Sequence, residues 1–233
     1  MATTNIPWCE QVWNPIVGCS KISTGCKNCY AERIAQKLKW TMFQQYENVV
    51  DENGWTGELS FSESKLEQPL FLRKPRVIFV NSMGDLFHEN MKQEWLDRIF
   101  GVMVARPQHT FIALTKRPER IKHNGVSLPN LFMGVSAENQ QTADERIPHL
   151  LNVPAQKRIL SAEPMLEEIN ITEYLHFLDW VICGPESGHF RRPFNIKWAQ
   201  RLYEQCKEKN VPFFFKLDNR LPQEYPYGYR CQI

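Results

Sequence analysis

Three cysteines close to the N-terminus constrain this chain more than any other feature. Cys19, Cys26 and Cys29 follow the pattern C-x(6)-C-x(2)-C. Thiolates this close together bind a soft metal or an iron–sulfur cluster in preference to magnesium or calcium, and the neighbouring Gly18 and Gly25 let the backbone curl around a bound group. No fourth cysteine or histidine follows nearby. The set therefore favours a cluster with one open iron over a structural zinc site, which four protein ligands normally close.

Two other interpretations of these thiols are a disulfide and a zinc site. A disulfide is disfavoured, because residues 1–8 have neither the basic start nor the apolar run of a secretory signal. Zinc stays open, because a histidine or a further cysteine can complete a tetrahedron in three dimensions. The further cysteines, whose default role is packing in a core, are Cys9, Cys183, Cys206 and Cys231.

The length and charge of the chain narrow its class. With 233 residues and no linker-like or repeated segment, a single domain over residues 1–233 is expected. The 28 basic and 26 acidic residues leave a net charge of +2, which excludes a strongly polyanion-seeking tail but not local basic patches. No apolar run approaches the roughly 20 residues that span a bilayer. We therefore expect a soluble cytoplasmic protein without membrane contact.

Apolar or β-branched runs alternate with amphipathic stretches, a pattern typical of βα units around a parallel sheet. Seven runs are predicted as strands, at residues 12–17, 76–81, 110–115, 131–136, 157–161, 179–183 and 211–216. Six stretches are predicted as helices, at residues 31–46, 93–104, 118–123, 142–151, 171–177 and 197–209. The long first interval also contains residues 54–61, which are expected to add a short extra strand. We therefore predict an α/β fold, a partial (β/α) barrel of about six to seven parallel strands.

Polar side chains follow nearly every predicted strand. Because the carboxyl ends of barrel strands meet on one face, these side chains are expected to line a shared pocket. The cysteine loop, residues 18–29, follows the first strand and should open on the same face. For any one of these residues the alternative is a turn or a helix cap. The predicted pocket residues are Asn81, Ser82, Asp85, Ser136, Glu138, Glu163, Glu186 and Lys216.

The same stretches carry a resemblance to a known family. The segment from Trp13 to Glu32, with its three cysteines, resembles the signature of the phage-associated three-Cys-motif proteins, which are similar to radical SAM enzymes. Five later blocks resemble that family in the same order, namely VNSMGDLFH (80–88), LTKRPER (114–120), GVSAEN (134–139), SAEP (161–164) and PESG (185–188). Two features depart from the expected pattern. The first cysteine gap exceeds the usual three residues, and Gly184-Pro185 stands where two glycines are expected before Glu186.

The resemblance implies a radical SAM-like partial barrel with a 4Fe-4S cluster on the three cysteines. It implies that S-adenosylmethionine (SAM) chelates the fourth iron and is cleaved to a 5'-deoxyadenosyl radical, which abstracts a hydrogen atom from a substrate. Tyr30, beside Cys29, is then expected to stack over the adenine. The remaining cofactor-binding residues are expected to be Asn81, Ser82, Asp85, Ser136 and Glu138. The expected catalytic residues are Glu163, Glu186 and Lys216, and either Lys116 or Arg117 is expected to bind a carboxylate or phosphate.

Basic residues cluster at residues 116–122 and 191–197. If both clusters flank the barrel mouth, they favour a nucleic acid or nucleotide substrate. The segment after Lys216 is shorter than is usual in similar proteins, which implies that one wall of the pocket is either missing or supplied by a protein partner. The alternative hypothesis is a non-catalytic module, stabilised by zinc or an inert cluster, that binds nucleic acid or a protein.

Overall fold

A computed structural model describes residues 2–41, 44–122, 124–188 and 190–229, and its central feature is a curved eight-stranded sheet. The strands of the structure are β1 (Ala2–Thr3), β2 (Gln11–Trp13), β3 (Ile16–Val17), β4 (Val50–Asp51), β5 (Gly54–Trp55), β6 (Ser60–Phe61), β7 (Val77–Val80), β8 (Thr110–Thr115), β9 (Leu131–Ser136), β10 (Lys157–Ala162), β11 (Trp180–Cys183) and β12 (Phe213–Phe215). The α-helices are α1 (Tyr30–Lys39), α2 (Glu63–Leu66), α3 (Gln93–Ala105), α4 (Gln140–Leu151) and α5 (Ile196–Glu208).

The large sheet has the strand order β1-β2-β7-β8-β9-β10-β11-β12. From β2 to β12 every neighbouring pair is parallel, and β1 adds an antiparallel strand at one edge. The seven parallel strands curl into a half-barrel. The prediction of an α/β partial barrel with about six to seven parallel strands is therefore confirmed.

Both faces of the parallel strands are apolar, as expected where helices cover a sheet. Along β7, Ile78 and Val80 pack in the core under the helices, and Val77 and Phe79 pack on the concave inner face. The same two-residue alternation puts Ile112, Phe132 and Phe214 on the inner face. The lower part of the half-barrel is thus filled with side chains. The room for a site is at the carboxyl ends of the strands.

The first predicted strand, residues 12–17, is wrong in its extent. It divides into β2 and β3, because Pro15 has no amide hydrogen to donate to a continuing ladder. β3 instead pairs with β6, which is the extra strand predicted within residues 54–61. This small sheet covers the beginning of the cysteine loop.

Three predicted helices are shorter than expected. The helix predicted over residues 31–46 ends at Lys39 and is followed by a 3-10 turn, Gln44–Tyr46, while residues 42 and 43 lie outside the described part. The helices predicted at 118–123 and 171–177 form only the 3-10 turns Pro118–Arg120 and Leu175–Phe177, and His123 lies outside the described residues. Segments of six or seven residues close too few hydrogen bonds to offset the entropy of helix nucleation.

Within the described residues, no helix is both long and apolar enough to cross a membrane.

Candidate functional site

A cleft of about 630 Å³ opens at the carboxyl ends of the strands and continues along the concave face of the sheet. This volume lies in the range of sites for drug-sized ligands. Ten of the predicted site residues line it: Cys19, Cys26, Cys29, Tyr30, Asn81, Ser82, Asp85, Ser136, Glu163 and Lys216. The other two, Glu138 and Glu186, lie under and beside the cysteine loop and are described below. Lys116 also lines the cleft.

The three cysteines of the loop are free, half-buried thiols with different electrostatic surroundings. Burial and the nearby Asp85 carboxylate raise the pKa of the Cys19 thiol to about 12. For Cys26, burial alone would raise the pKa, but the charge of Lys116 and hydrogen bonds in the loop outweigh it and lower the pKa. The Cys26 thiolate is therefore easier to form than that of Cys19 in the absence of a bound metal.

The donor set of the loop consists of three thiols, which are soft ligands. Among the residues that the structure describes, no group of three or more His, Cys, Asp and Glu side chains is placed to hold one metal ion. A cluster distributes its thiolate ligands over several iron atoms, so soft donors around a larger space can hold it. The three loop cysteines all line the cleft. Of the cysteines considered for zinc, Cys9, Cys183 and Cys206 do not line the cleft, and Cys231 lies outside the described residues.

Arg117 fixes the start of the cysteine loop. Its guanidinium is 3 % exposed and lies 3.3 Å from the Asp85 carboxylate. It donates to Ser20 Oγ at 2.7 Å and Glu89 Oε2 at 2.9 Å, and it approaches Cys19 Sγ at 3.9 Å. These contacts already use its donors. Both cations expected to bind a ligand anion, Lys116 and Arg117, line the cleft, and Lys116 is the one whose side chain is not held by these contacts.

The Asp85 carboxylate is similarly occupied. Oδ1 accepts from the Thr115 hydroxyl at 2.7 Å and from the backbone N–H of Phe87 at 3.0 Å. Oδ2 accepts from the backbone N–H of Lys116 at 3.1 Å and faces Arg117. Asp85 therefore joins the ends of β7 and β8 beneath Cys19.

Ser20, His88 and Glu89 have the composition of a hydrolytic triad but not its geometry of proton transfer. Ser20 Oγ lies 3.0 Å from His88 Nε2 and donates to Glu89 Oε1 at 2.6 Å. His88 Nδ1 accepts the backbone N–H of Asn90, so the proton of the neutral ring is on Nε2, which donates to Ser20. Burial and Arg117 lower the pKa of His88 and keep the ring neutral. His88 therefore cannot accept the Ser20 proton, and the group serves to hold the loop.

Glu138 lies directly under the cysteine loop and is completely buried. One carboxylate oxygen accepts the Gly25 backbone N–H at 3.1 Å, and the other pairs with Arg146 at 2.9 Å. Burial alone would raise the pKa of Glu138, but Arg146 and these hydrogen bonds hold it below its usual value. A Cβ at position 25 would lie 2.9 Å from the Glu138 Cδ. Gly25 is thus required by this close approach.

Glu186 holds the other end of the loop. Its carboxylate accepts from the Asn28 amide at 2.9 Å and pairs with Arg192, whose guanidinium also donates to the Thr24 carbonyl at 3.0 Å. Glu186 therefore does not face the cleft with a free carboxylate. Together, Ser20–Arg117, Gly25–Glu138 and Asn28–Glu186 are called the loop anchors below.

Glu163 and Lys216 form a polar pair on the opposite wall of the cleft. Glu163 Oε1 lies 2.7 Å from Lys216 Nζ, and Ser161 Oγ donates to the other carboxylate oxygen at 3.2 Å. Gly184 lies close to both, since a Cβ there would be 3.0 Å from the Lys216 Cβ and 3.2 Å from Glu163 Oε1. The ends of β10, β11 and β12 thus place one carboxylate and one ammonium group at the cleft.

Tyr30, Ser82 and Asn81 line the wall next to Cys29. The Tyr30 hydroxyl donates to the Ser82 carbonyl at 3.1 Å, and Ser82 Oγ donates to the Asn14 side chain at 3.2 Å. Burial raises the pKa of Tyr30 and keeps it a neutral donor. Asn81 is 3 % exposed and has a φ of 57°, in the left-handed region.

Several residues of the site are absent from the sequence-based set. Asn28 binds Glu186, which is distant in the chain, and no spacing rule identifies such a partner. Arg146 and Arg192 pair with Glu138 and Glu186, which are only a few residues away but in other elements. Ser20 sits inside the cysteine motif, so its position next to Cys19 was a usable signal. Trp8 lines the inner part of the cleft. It was not predicted, because the predicted pocket residues were those that follow a strand and Trp8 does not.

The pH dependence of stability gives a test of the Glu186 anchor. Burial alone would raise the pKa of Glu186, but hydrogen bonds from Arg192 and Asn28 lower it from the ordinary 4.5 to about 2. Its contribution to stability is therefore complete above pH 4.5 and is lost as the pH falls through about 2. We expect Glu186→Gln to be less stable than the wild type at neutral pH and to lose less stability on acidification, as measured by urea unfolding.

The exposed Glu204 supplies a matched control, since Glu204→Gln should follow the wild-type pH profile. A Glu186→Gln profile parallel to the wild type would contradict the assigned ion pair.

Comparison with known protein families gives one match, which covers most of the chain. Residues 3–221 match the family described as "Protein of unknown function (DUF5131)". No curated protein and no solved structure matches the chain. Since the family match covers far more than half of the 233 residues, the chain belongs to the DUF5131 family.

Proposed function

We propose that this protein is an iron–sulfur, radical SAM-like enzyme. The observation that carries the proposal is the placement of three free thiols at the mouth of a cleft formed by the carboxyl ends of seven parallel strands. The resemblance of the loop and of five later blocks to the phage-associated three-Cys-motif proteins adds support. A cytoplasmic location agrees with thiols that must stay reduced to bind iron.

In this proposal Cys19, Cys26 and Cys29 hold a 4Fe-4S cluster. When bound, the cluster supplies the electron for reductive cleavage of SAM, which generates the radical that abstracts a hydrogen atom from the substrate. The protein contributes a rigid loop, because the loop anchors attach it to the ends of three different parts of the sheet. Lys116 contributes positive charge next to Cys26, which stabilises the thiolate form.

Glu163 and Lys216 match the two charged groups of an amino acid. A ligand with an ammonium and a carboxylate group can pair with each of them in place of their mutual contact at 2.7 Å. The methionine portion of SAM has both groups. Tyr30 and Ser82, next to Cys29, form the facing wall. Ser136 lies between these two walls at the end of β9.

Nucleic acid or a nucleotide is the proposed substrate. Basic side chains surround the mouth of the cleft, with Lys21 and Lys27 exposed on the cysteine loop and Arg191 exposed beside it. Phe190, which is 77 % exposed, accepts the Asn28 amide on its backbone carbonyl and so stands at the same rim. Cations bind phosphates, and an exposed ring can stack on an unpaired base. A protein partner that completes the rim is compatible with this arrangement.

A charge-removing substitution tests the amino-acid site. We expect Glu163→Gln to weaken SAM binding at least about tenfold, because hydrogen bonds to charged groups contribute roughly 1.5–3 kcal/mol. Iron content per chain should not change, since the Glu163 carboxylate pairs with Lys216 and Ser161, which are not part of the cysteine loop. SAM binding is measured by anaerobic equilibrium dialysis, with Glu204→Gln as the exposed control. Equal SAM affinity in Glu163→Gln and the wild type would remove Glu163 from the site.

The alternative is the non-catalytic module stabilised by zinc or an inert cluster. Stoichiometric zinc without iron after anaerobic purification would favour that module and contradict the enzymatic proposal. Retention of one 4Fe-4S cluster per chain with no response to SAM would leave the inert-cluster form of the module.

A further inference from the structure

The cleft extends well beyond the cysteines, and two buried polar groups in its inner part have no partner. Asn81 and Trp8 both line the cleft and are 3 % and 2 % exposed. Neither the oxygen nor the nitrogen of the Asn81 amide has a hydrogen-bond partner, and neither does the Trp8 indole N–H. Buried polar groups in folded proteins are nearly always paired, so two such groups in one cleft require an explanation.

The backbone conformation of Asn81 is also unfavourable. Its φ of 57° lies in the left-handed region, which residues other than glycine enter at a cost. The Asn81 backbone is firmly held, since its N–H donates to the Trp13 carbonyl at 2.8 Å and its carbonyl accepts from Gly84 at 3.3 Å. The structure therefore presents the amide to the cleft in a fixed position. A bound ligand would satisfy it.

The part of the cleft next to Trp8 has an apolar lining. Phe79 lies in β7, two residues before Asn81, and both residues line the cleft. The Trp8 ring packs edge-on against Phe79 with the ring centroids 4.8 Å apart. Leu114, on the neighbouring strand β8, packs on the same inner face. A planar ring can lie against this wall with its edge toward Asn81.

We propose that this inner part of the cleft binds an adenine base, with Asn81 reading its edge and Trp8 donating to an acceptor of the base or its sugar. A side-chain amide has one donor and one acceptor side by side, which match the N7 acceptor and the N6 amino donor of adenine. Trp8 supplies a donor only, so it needs an acceptor. Adenine is uncharged, so this recognition requires no charged side chain. The site is made by β7, β8 and the N-terminal segment, and none of its residues is a cysteine, so it does not depend on a bound cluster.

The test uses iron-free protein and nucleosides as probes. We expect adenosine to bind saturably in isothermal titration calorimetry. Inosine should bind at least about tenfold more weakly, because it replaces the N6 amino donor with a carbonyl. Asn81→Gly should lower adenosine affinity at least about tenfold without lowering the urea midpoint of unfolding, since glycine adopts the φ of 57° freely and leaves no unpaired amide.

Trp8→Phe is the second variant, which keeps an aromatic ring against Phe79 and removes the N–H. It should also weaken adenosine binding while retaining the fold. Adenosine affinity that is unchanged in both variants would overturn the proposal. So would an unfolding midpoint that falls in Asn81→Gly with no change in affinity, because Asn81 would then have a purely structural role.

The adenine has two possible sources, the cofactor of the proposed function and a base of the substrate. The same titrations with SAM and with a single-stranded oligonucleotide of eight deoxyadenosines separate them. An Asn81-dependent affinity higher for SAM than for adenosine assigns the site to the cofactor, and the same result with the oligonucleotide assigns it to the substrate. If Asn81→Gly changes the affinity for none of the three probes, the adenine site is rejected. The proposed cluster is tested separately, by iron analysis.

Discussion

Cys26→Ala is expected to reduce the iron and sulfide of anaerobically purified protein to less than about a tenth of the wild-type content. A cluster held by three thiolates loses a ligand that no other described cysteine replaces, since Cys9, Cys183 and Cys206 do not line the cleft. The pKa of Cys26 also lies below its usual value, so its thiolate forms more readily than that of Cys19. Iron and sulfide analysis gives the result directly.

Cys206→Ala is the matched control. Cys206 is fully buried in the core on α5, and burial raises the pKa of its thiol to about 12. Its replacement should lower stability modestly and leave the iron content unchanged. Circular dichroism of both variants separates loss of the ligand from loss of the fold. Full iron content in Cys26→Ala would contradict the assigned ligand set.

Glu138→Ala is expected to have the largest effect on stability, about 3–5 kcal/mol in the free energy of unfolding. Arg146, with a side chain 7 % exposed, would remain buried without its carboxylate, and the loss of one partner of a buried ion pair has this magnitude. The Gly25 N–H would lose its acceptor as well. Urea unfolding of the variant at neutral pH measures the change.

Two further variants separate the ion pair from other effects. Glu145→Ala, on the exposed side of α4, should stay within about 0.5 kcal/mol of the wild type. The double variant Glu138→Ala, Arg146→Met should be more stable than Glu138→Ala alone, because no uncompensated charge is left. A single-variant loss under about 1 kcal/mol would falsify the role of Glu138 beneath the loop.

The strand pattern could be predicted because it depends on local rules. Runs such as residues 131–136 are apolar throughout, and strands buried on both faces read in this way. The same rule places polar residues at one end of the sheet, where Glu163 and Lys216 form an ion pair in the cleft lining. The break at Pro15 follows from an equally local rule that the strand prediction did not apply.

The roles of Glu138 and Glu186 could not be read from their positions after strands. Both were expected to face the pocket, but each has a cation within reach that neutralises it, Arg146 for Glu138 and Arg192 for Glu186. Which cation reaches a carboxylate depends on the three-dimensional course of helices and loops. Sequence spacing carries no information on the direction in which a side chain at a strand end points. A residue that lines the cleft and a residue that holds the loop therefore occupy equivalent positions in the sequence.

The unpaired amide of Asn81 was visible only in the structure. Its presence among the predicted pocket residues came from the position after β7, and nothing in the sequence indicated that the left-handed backbone would leave both amide atoms without partners. The unpaired indole N–H of Trp8 was likewise visible only in the structure. Unsatisfied hydrogen bonds are a property of the packed state.

Electron paramagnetic resonance of the anaerobically purified, reduced protein, recorded with and without SAM, tests whether the loop cysteines hold a cluster with an open iron. We predict the signal of a reduced 4Fe-4S cluster and a change in that signal when SAM is added, as expected if one iron is open to a ligand. A protein that contains stoichiometric zinc and no iron, and gives no cluster signal, would contradict the account.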